Sequence, residues 1–119
     1  MAEQLVQQLA HWKGCEVFRN VGCTGPIDLV IYHPKLGLLP IDVKCMTERL
    51  DGTWCNPSIA SVPADVFLVY VRPKGDVRDW KVQWRNTARG IHSADRPVYI
   101  CPPGWENFWD NDHRNYSTK

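Results

Sequence analysis

Residues 25–46 read GPIDLVIYHPKLGLLPIDVKCM, and the two apolar segments on either side of HPKLG contain three charged residues. They are Asp28, Asp42 and Lys44. Charged side chains are rarely placed in apolar sequence unless they are paired or have a function. The stretch therefore contains both the centre of the predicted fold and the candidate functional residues.

The segment HPKLG, which is rich in turn formers, divides the stretch into two predicted strands, residues 26–32 and 38–45. In an antiparallel hairpin centred on Lys35, Asp28 lies opposite Asp42, because both are equally far from the turn. Side chains alternate between the two faces of a sheet, so Asp28, Asp42 and Lys44 share one face. The other face is apolar and comprises Ile27, Leu29, Ile31, Leu39, Ile41, Val43 and Cys45.

Two carboxylates that face each other across a strand pair repel one another. Lys44 could partly neutralise them in a structural ion cluster. A divalent cation would neutralise them more fully, since carboxylate oxygens held on strands suit Mg²⁺ or Mn²⁺. The residues alone leave both interpretations open.

The remaining periodicities predict one α/β domain spanning residues 1–119. Residues 2–14 have apolar side chains at helical spacing, at Leu5, Val6, Leu9 and Trp12. Residues 65–71, DVFLVYV, form a continuous apolar run typical of a central strand. Residues 80–86, WKVQWRN, alternate between apolar and polar side chains. We expect a central mixed β-sheet of four to five strands flanked by helices.

Weaker signals predict short strands in residues 15–21 and 96–101, and a short helix in the tail with Trp105 and Trp109 four residues apart. Residues 46–63 carry no assignable pattern. The glycine-rich run at residues 22–25 is interpreted as a turn, because no Gly-Lys-Ser/Thr follows it as in a phosphate-binding loop.

Composition excludes several classes of protein. The chain has 119 residues, of which 44% are hydrophobic and 23% charged, as in an ordinary globular domain. No apolar run approaches the roughly 20 residues that span a bilayer, and the N-terminus lacks the basic start of a signal peptide. The five cysteines form no C-x-x-C or Cys/His cluster, which argues against structural zinc. We expect a cytoplasmic protein with no membrane association and no small-molecule cofactor.

Charge distribution indicates a polyanionic partner. The net charge is only +1, yet residues 72–89 contain six Lys or Arg residues against two Asp residues. A basic segment in a nearly neutral chain is a weak footprint of nucleic acid. We expect the phosphate contacts to come from Arg19, Lys81, Arg85 and Arg89.

These elements together resemble the PD-(D/E)xK nuclease superfamily, in a layout similar to archaeal-type Holliday-junction resolvases and their phage relatives. The similarity lies in an acidic helix and strand, AEQLVQQLAHWKGCEVFRNV, followed by the hairpin GPIDLVIY…LPIDVKCM. It covers roughly residues 2–46 and the strand DVFLVYV. The literal "PD" is missing, since Ile27 separates Pro26 from Asp28.

The resemblance implies a restriction-endonuclease-like core and a DNA endonuclease that uses Mg²⁺, with Mn²⁺ able to substitute. It assigns Asp28, Asp42 and the main-chain carbonyl of Val43 as metal ligands. Lys44 would orient or deprotonate the attacking water, and Glu3 would reach the metal through a water molecule.

Three functions remain open. A chain this short has little room for a separate recognition domain, which favours a structure-specific enzyme such as a junction resolvase. A C-terminal third rich in Arg, Trp and Asn could instead read base edges, as in a homing or restriction-like enzyme. The alternative of another class is a non-catalytic nucleic-acid-binding domain in which the charged residues form a structural ion network.

Cutting two strands calls for two sites, so we expect a homo-oligomer that is at least a dimer. The expected interface consists of aromatic residues in poorly periodic segments. They are Trp54, Trp105, Phe108 and Trp109.

Overall fold

In the described part of the chain, one α-helix packs on a mixed β-sheet, in agreement with the α/β prediction. The computed structural model describes residues 2–21, 27–55, 57, 63, 65–86 and 99–109. A 3₁₀ turn, Val77–Asp79, connects the two longest C-terminal strands. In chain order the elements are α1 (Ala2–Trp12), β1 (Glu16–Arg19), β2 (Leu29–His33), β3 (Gly37–Cys45), β4 (Thr47–Glu48), β5 (Trp54–Cys55), β6 (Phe67–Arg72), β7 (Lys81–Asn86) and β8 (Tyr99–Ile100).

The main sheet has the strand order β1-β2-β3-β6-β7-β8. β3 and β6 are parallel, and the other neighbouring strands are antiparallel. The five longer strands match the predicted number, and the two-residue β8 adds a sixth at the edge. β4 and β5 form a separate hairpin within residues 46–63, to which the sequence assigned no structure.

The predicted register of the β2–β3 hairpin is confirmed. His33 pairs with Gly37 and Leu29 with Ile41, so the pairing is symmetric about Lys35. β2 begins later than predicted, at Leu29. The Asp28 N–H still donates to the Ile41 carbonyl over 3.0 Å, but Asp28 precedes the strand. Asp28 and Asp42 are thus the next positions beyond the last regular pair.

Helix α1 packs on the apolar face of the sheet, where Leu29, Ile31, Leu39 and Ile41 are buried as predicted. Cys45 was expected on this buried face but is exposed. It is the last residue of β3, and β2 does not extend far enough to lie beside it. The core is formed by Leu5, Val6, Leu9, Ala10, Cys15, Leu29, Ile31, Leu39, Ile41, Val69, Val71, Val82, Trp84, Trp105 and Trp109.

The helix was predicted over the correct residues, but the predicted burial of one of its side chains, Trp12, is wrong. α1 ends at Trp12, whose side chain is 71% exposed. Ala10 is fully buried and supplies the last core contact of the helix instead.

The predicted short helix in the tail is wrong for the described residues. The Trp105 N–H donates to the Pro102 carbonyl, and the Phe108 N–H donates to the Trp105 carbonyl, which are two successive tight turns. Trp105 and Trp109 are buried against Trp84, whose indole N–H donates to the Trp105 carbonyl over 2.9 Å. These two rings complete the core, so the prediction that Trp105 and Trp109 contribute to a dimer interface is wrong. Trp54 and Phe108 are only partly buried, and for them the prediction stays open.

Several predicted features lie outside the described residues. They are Arg89, Pro26, the glycine-rich turn at 22–25, residues 96–98 of a predicted strand and the tail beyond residue 109. Among the described residues, no helix is both long and apolar enough to cross a membrane.

Candidate active site

Asp28 and Asp42 meet where β2 begins beside β3. Asp42 lies within β3 and is only 5% exposed. Asp28 immediately precedes β2, and its Oδ2 accepts a hydrogen bond from the Val43 N–H over 2.8 Å. This side-chain bond continues the contact between the two segments where the strand ladder has stopped. It holds the Asp28 carboxylate beside β3.

The pKa of Asp42 is raised by its burial and, to a smaller extent, by the neighbouring Asp28. Burial, followed by the hydrogen bond with Asp28 and its negative charge, raises this pKa to about 7. Lys44 acts in the opposite direction, with its Nζ 3.4 Å from Asp42 Oδ2. Because the effects that raise the pKa outweigh that of Lys44, Asp42 keeps its proton at pH values well above the ordinary pKa of an aspartate.

Glu3 and Arg19 also approach the site. The pKa of Glu3 is raised, first by desolvation and then by the charge of Asp28 and a hydrogen bond with it. Arg19, at the end of β1, is close enough to Glu3 to lower that pKa. The start of α1 and the end of β1 are therefore both adjacent to Asp28, as the resemblance implied for Glu3.

The donors at this position fit a small hard cation, with two side chains as direct ligands. In the described part of the chain, no group of three or more His, Cys, Asp or Glu side chains is arranged to bind a metal ion. Glu3 thus does not complete a set of three carboxylates with Asp28 and Asp42 among these residues. Asp28 and Asp42 supply oxygen ligands of the kind that Mg²⁺ prefers.

The Val43 carbonyl is oriented as a third donor would need to be. In a strand, the N–H and C=O of one residue point towards the same neighbouring strand. The Val43 N–H points towards Asp28, so its carbonyl lies on that side of β3 too. β2 begins at Leu29, opposite Ile41, and supplies no strand partner at this level.

The candidate DNA-contacting residues Lys81 and Arg85 lie on the same sheet face as Asp42 and Lys44. Lys44 is level with Tyr70 on β6, and Tyr70 pairs with Gln83 on β7. By alternation, Lys81 and Arg85 share the face of Gln83. Arg85 is level with Asp42 and lies two strands away, about 10 Å at ordinary strand spacing, whereas Lys81 is level with Arg72, four residues further along the strands.

Two residues on this face were missed by the sequence analysis. Gln83 is 3% exposed, although it alternates with charged neighbours that predict an exposed position. Gln83 pairs with Tyr70, which forms a small second cluster with Met46 and Leu68. Trp54 packs against this cluster. Arg72 pairs with Lys81 across β6 and β7. The position of Arg72 within the basic segment 72–89 is the sequence feature that could have identified it as a candidate.

Compared with protein-family models, with curated proteins and with solved structures, the chain matches none of them. A function for this site has to be inferred from its geometry and chemistry.

Proposed function

We propose that the protein is a metal-dependent DNA endonuclease with the active site and the restriction-endonuclease-like core of the PD-(D/E)xK superfamily. The observation that carries the proposal is the convergence of Asp28, Asp42 and Lys44 at one end of the β2–β3 hairpin, where burial and the neighbouring Asp28 raise the pKa of Asp42. The proximity of Glu3 to Asp28 supports it, since the resemblance singles out these four residues at widely separated positions.

Mg²⁺ or Mn²⁺, when bound, would supply the acidity that activates a water molecule and offsets charge on the scissile phosphate. Asp28, Asp42 and the Val43 carbonyl would hold the cation. Lys44, on the same face as Asp42, would orient the water and stabilise negative charge that develops on the phosphate oxygens. Because Asp42 must lose its proton to act as a ligand, metal affinity should rise with pH through about 7.

A structure-specific substrate such as a four-way junction is the preferred proposal. Incubation with Mg²⁺ and a panel of DNAs tests it: a junction, linear duplex, flaps and single strands. We expect cleavage with Mg²⁺ or Mn²⁺, none in EDTA, and the fastest cutting on the junction. Cutting of duplex at one sequence would favour the homing or restriction-like alternative, and no cleavage of any substrate would contradict the nuclease proposal.

A homodimer remains part of the proposal because one site hydrolyses one bond in one strand. The same assay reports on it. Paired cuts in opposite strands during one encounter would support two coupled sites, whereas independent nicks would indicate a single site. The interface has to lie away from the buried rings of Trp105 and Trp109.

A non-catalytic nucleic-acid-binding domain is the second candidate. The observation that favours it is the contact of 3.4 Å between Lys44 Nζ and Asp42 Oδ2, since this ion pair partly neutralises the carboxylate within the protein itself. In that case the cluster would stabilise the fold, and its removal would destabilise the protein at every pH.

DNA binding should depend on the cations of β7. Replacing Lys81 and Arg85 with alanine should reduce the slope of log K against log salt by about one for each lost phosphate contact. Filter binding or anisotropy at several salt concentrations, with Ca²⁺ in place of Mg²⁺, measures this slope. Lys35→Ala is the matched control, because Lys35 is exposed in the hairpin turn at the far end from Asp42. An unchanged slope in the double variant would place the DNA surface elsewhere.

A further inference from the structure

A cavity of about 260 Å³ lies beyond the acidic site, at the end of β6 and the start of β7. It is lined by Trp54, Arg72, Lys74, Asp79 and Lys81. We propose that this cavity binds one phosphate-bearing nucleotide unit of a DNA strand whose scissile bond lies at Asp42. The inference rests on the proposed function, which places the DNA strand across Asp42. Binding of a phosphate-bearing nucleotide in the cavity can be tested without DNA cleavage.

The cavity lies on the site face of the sheet. Lys44 is level with Tyr70, and Arg72 is two residues further along β6 on the same face. At about 3.3 Å per residue, Arg72 lies roughly 7 Å beyond Lys44 and roughly 13 Å beyond the level of Asp42. A strand that passes over Asp42 and Lys44 would therefore reach Arg72 within a few nucleotides.

The Arg72 side chain carries a hydrogen-bond donor that lacks an acceptor among the described residues. Its Nε is buried and has no hydrogen-bond partner among the described residues. A buried donor without a partner is unfavourable, and a turn of the side chain towards the cavity would let a phosphate oxygen satisfy it with a charge-assisted bond. The planar guanidinium can also present two parallel N–H groups to a phosphate.

The charge of the lining favours an anion. Lys74 is already paired with Glu48, with 2.8 Å between Nζ and Oε2. Arg72 and Lys81, which face each other across β6 and β7, form no ion pair in the described part of the chain. Among the described residues of the wall, Asp79 is the only acidic one, so this lining keeps a net positive charge.

Trp54 gives the cavity an aromatic wall. The Arg72 guanidinium carbon lies 5.7 Å from the centre of the Trp54 ring, which holds the guanidinium in place. The ring also lines the cavity, where a sugar or base can pack without sequence preference. At 260 Å³ the cavity is smaller than the roughly 300–1,000 Å³ of sites for free small molecules. It suits one unit of a longer strand.

The test is the binding of a thymidine trinucleotide with a 5′-phosphate, measured by calorimetry in EDTA so that no cleavage occurs. Arg72→Gln and Lys81→Gln should each weaken binding by about tenfold, as expected for the loss of one charge-assisted contact. Lys35→Gln, which removes one charge in the distant turn, should bind as the wild type does. A trinucleotide with uncharged methylphosphonate linkages should bind all variants equally weakly.

Equal affinities of the wild type and the Lys81→Gln variant would overturn the inference, as would no detectable binding by the wild type. Lys81→Gln decides the outcome if Arg72→Gln unfolds, because Lys81 is only half-buried at the start of β7. If the protein cleaves DNA but these substitutions do not alter its affinity for the trinucleotide, the nuclease proposal stands and this binding site is excluded. If the substitutions weaken trinucleotide binding but no DNA is cleaved, the binding site stands and the nuclease proposal is excluded.

Discussion

Replacing Asp42 with asparagine, or Lys44 with alanine, should lower the rate of DNA cleavage by at least about 100-fold while the fold is retained. Asp42 is the proposed metal ligand within β3, and Lys44 is the only cation within 4 Å of its carboxylate among the described residues. Single-turnover cleavage of the best substrate in Mg²⁺ measures the effect, with thermal melting as the check on folding.

The matched control is Asp65→Asn, which removes an exposed carboxylate just before β6 and should cut at the wild-type rate. If Asp42→Asn or Lys44→Ala cuts as fast as the wild type, these residues are not the catalytic centre. Loss of DNA binding together with loss of cleavage would instead indicate a role in binding.

Asp42→Asn should make the metal-free protein more stable than the wild type, and the gain should grow with pH. The pKa of Asp42 is raised from 3.8 to about 7 in the folded protein. Between these values the folded state keeps a proton that the unfolded chain releases, so the stability of the wild type falls as pH rises through this window. Asparagine does not ionise, and the variant avoids this loss. We expect its advantage to increase by about 2 kcal/mol between pH 5 and pH 8.

Urea unfolding in EDTA at pH 5, 6, 7 and 8 measures this difference, with Asp65→Asn again as the control for loss of one charge. Added Mg²⁺ should stabilise the wild type most at pH 8 and should have little effect on the variant, because a ligand that binds only the folded state stabilises it. A variant that is less stable than the wild type by the same amount at every pH would support the structural ion network.

The sequence by itself determined the hairpin and its two faces. The turn at Lys35 and the period-two alternation are local properties, and they were sufficient to predict the pairing of Leu29 with Ile41. They also placed Asp28 and Asp42 at equivalent positions, since register in a hairpin follows from the turn. The apolar runs of β6 and β7 were readable for the same reason.

Only the tertiary structure decided what surrounds that hairpin. Glu3 and Arg19 approach Asp28 because α1 and β1 pack beside it, and nothing in their local sequence states that contact. The rise in the pKa of Asp42 likewise depends on how much water the neighbouring strands exclude, which is a property of the assembled sheet.

The aromatic residues show the same limit most clearly. Trp105 and Trp109 lie in an irregular segment, where the lack of periodicity suggested exposed rings, yet they pack on Trp84 in the core. Trp12 has helical spacing that suggested burial, yet it is exposed at the end of α1. Periodicity reports which face a side chain takes within its own element. Whether that face is covered depends on which distant segments fill the space above it, and these contacts form only when the whole chain packs.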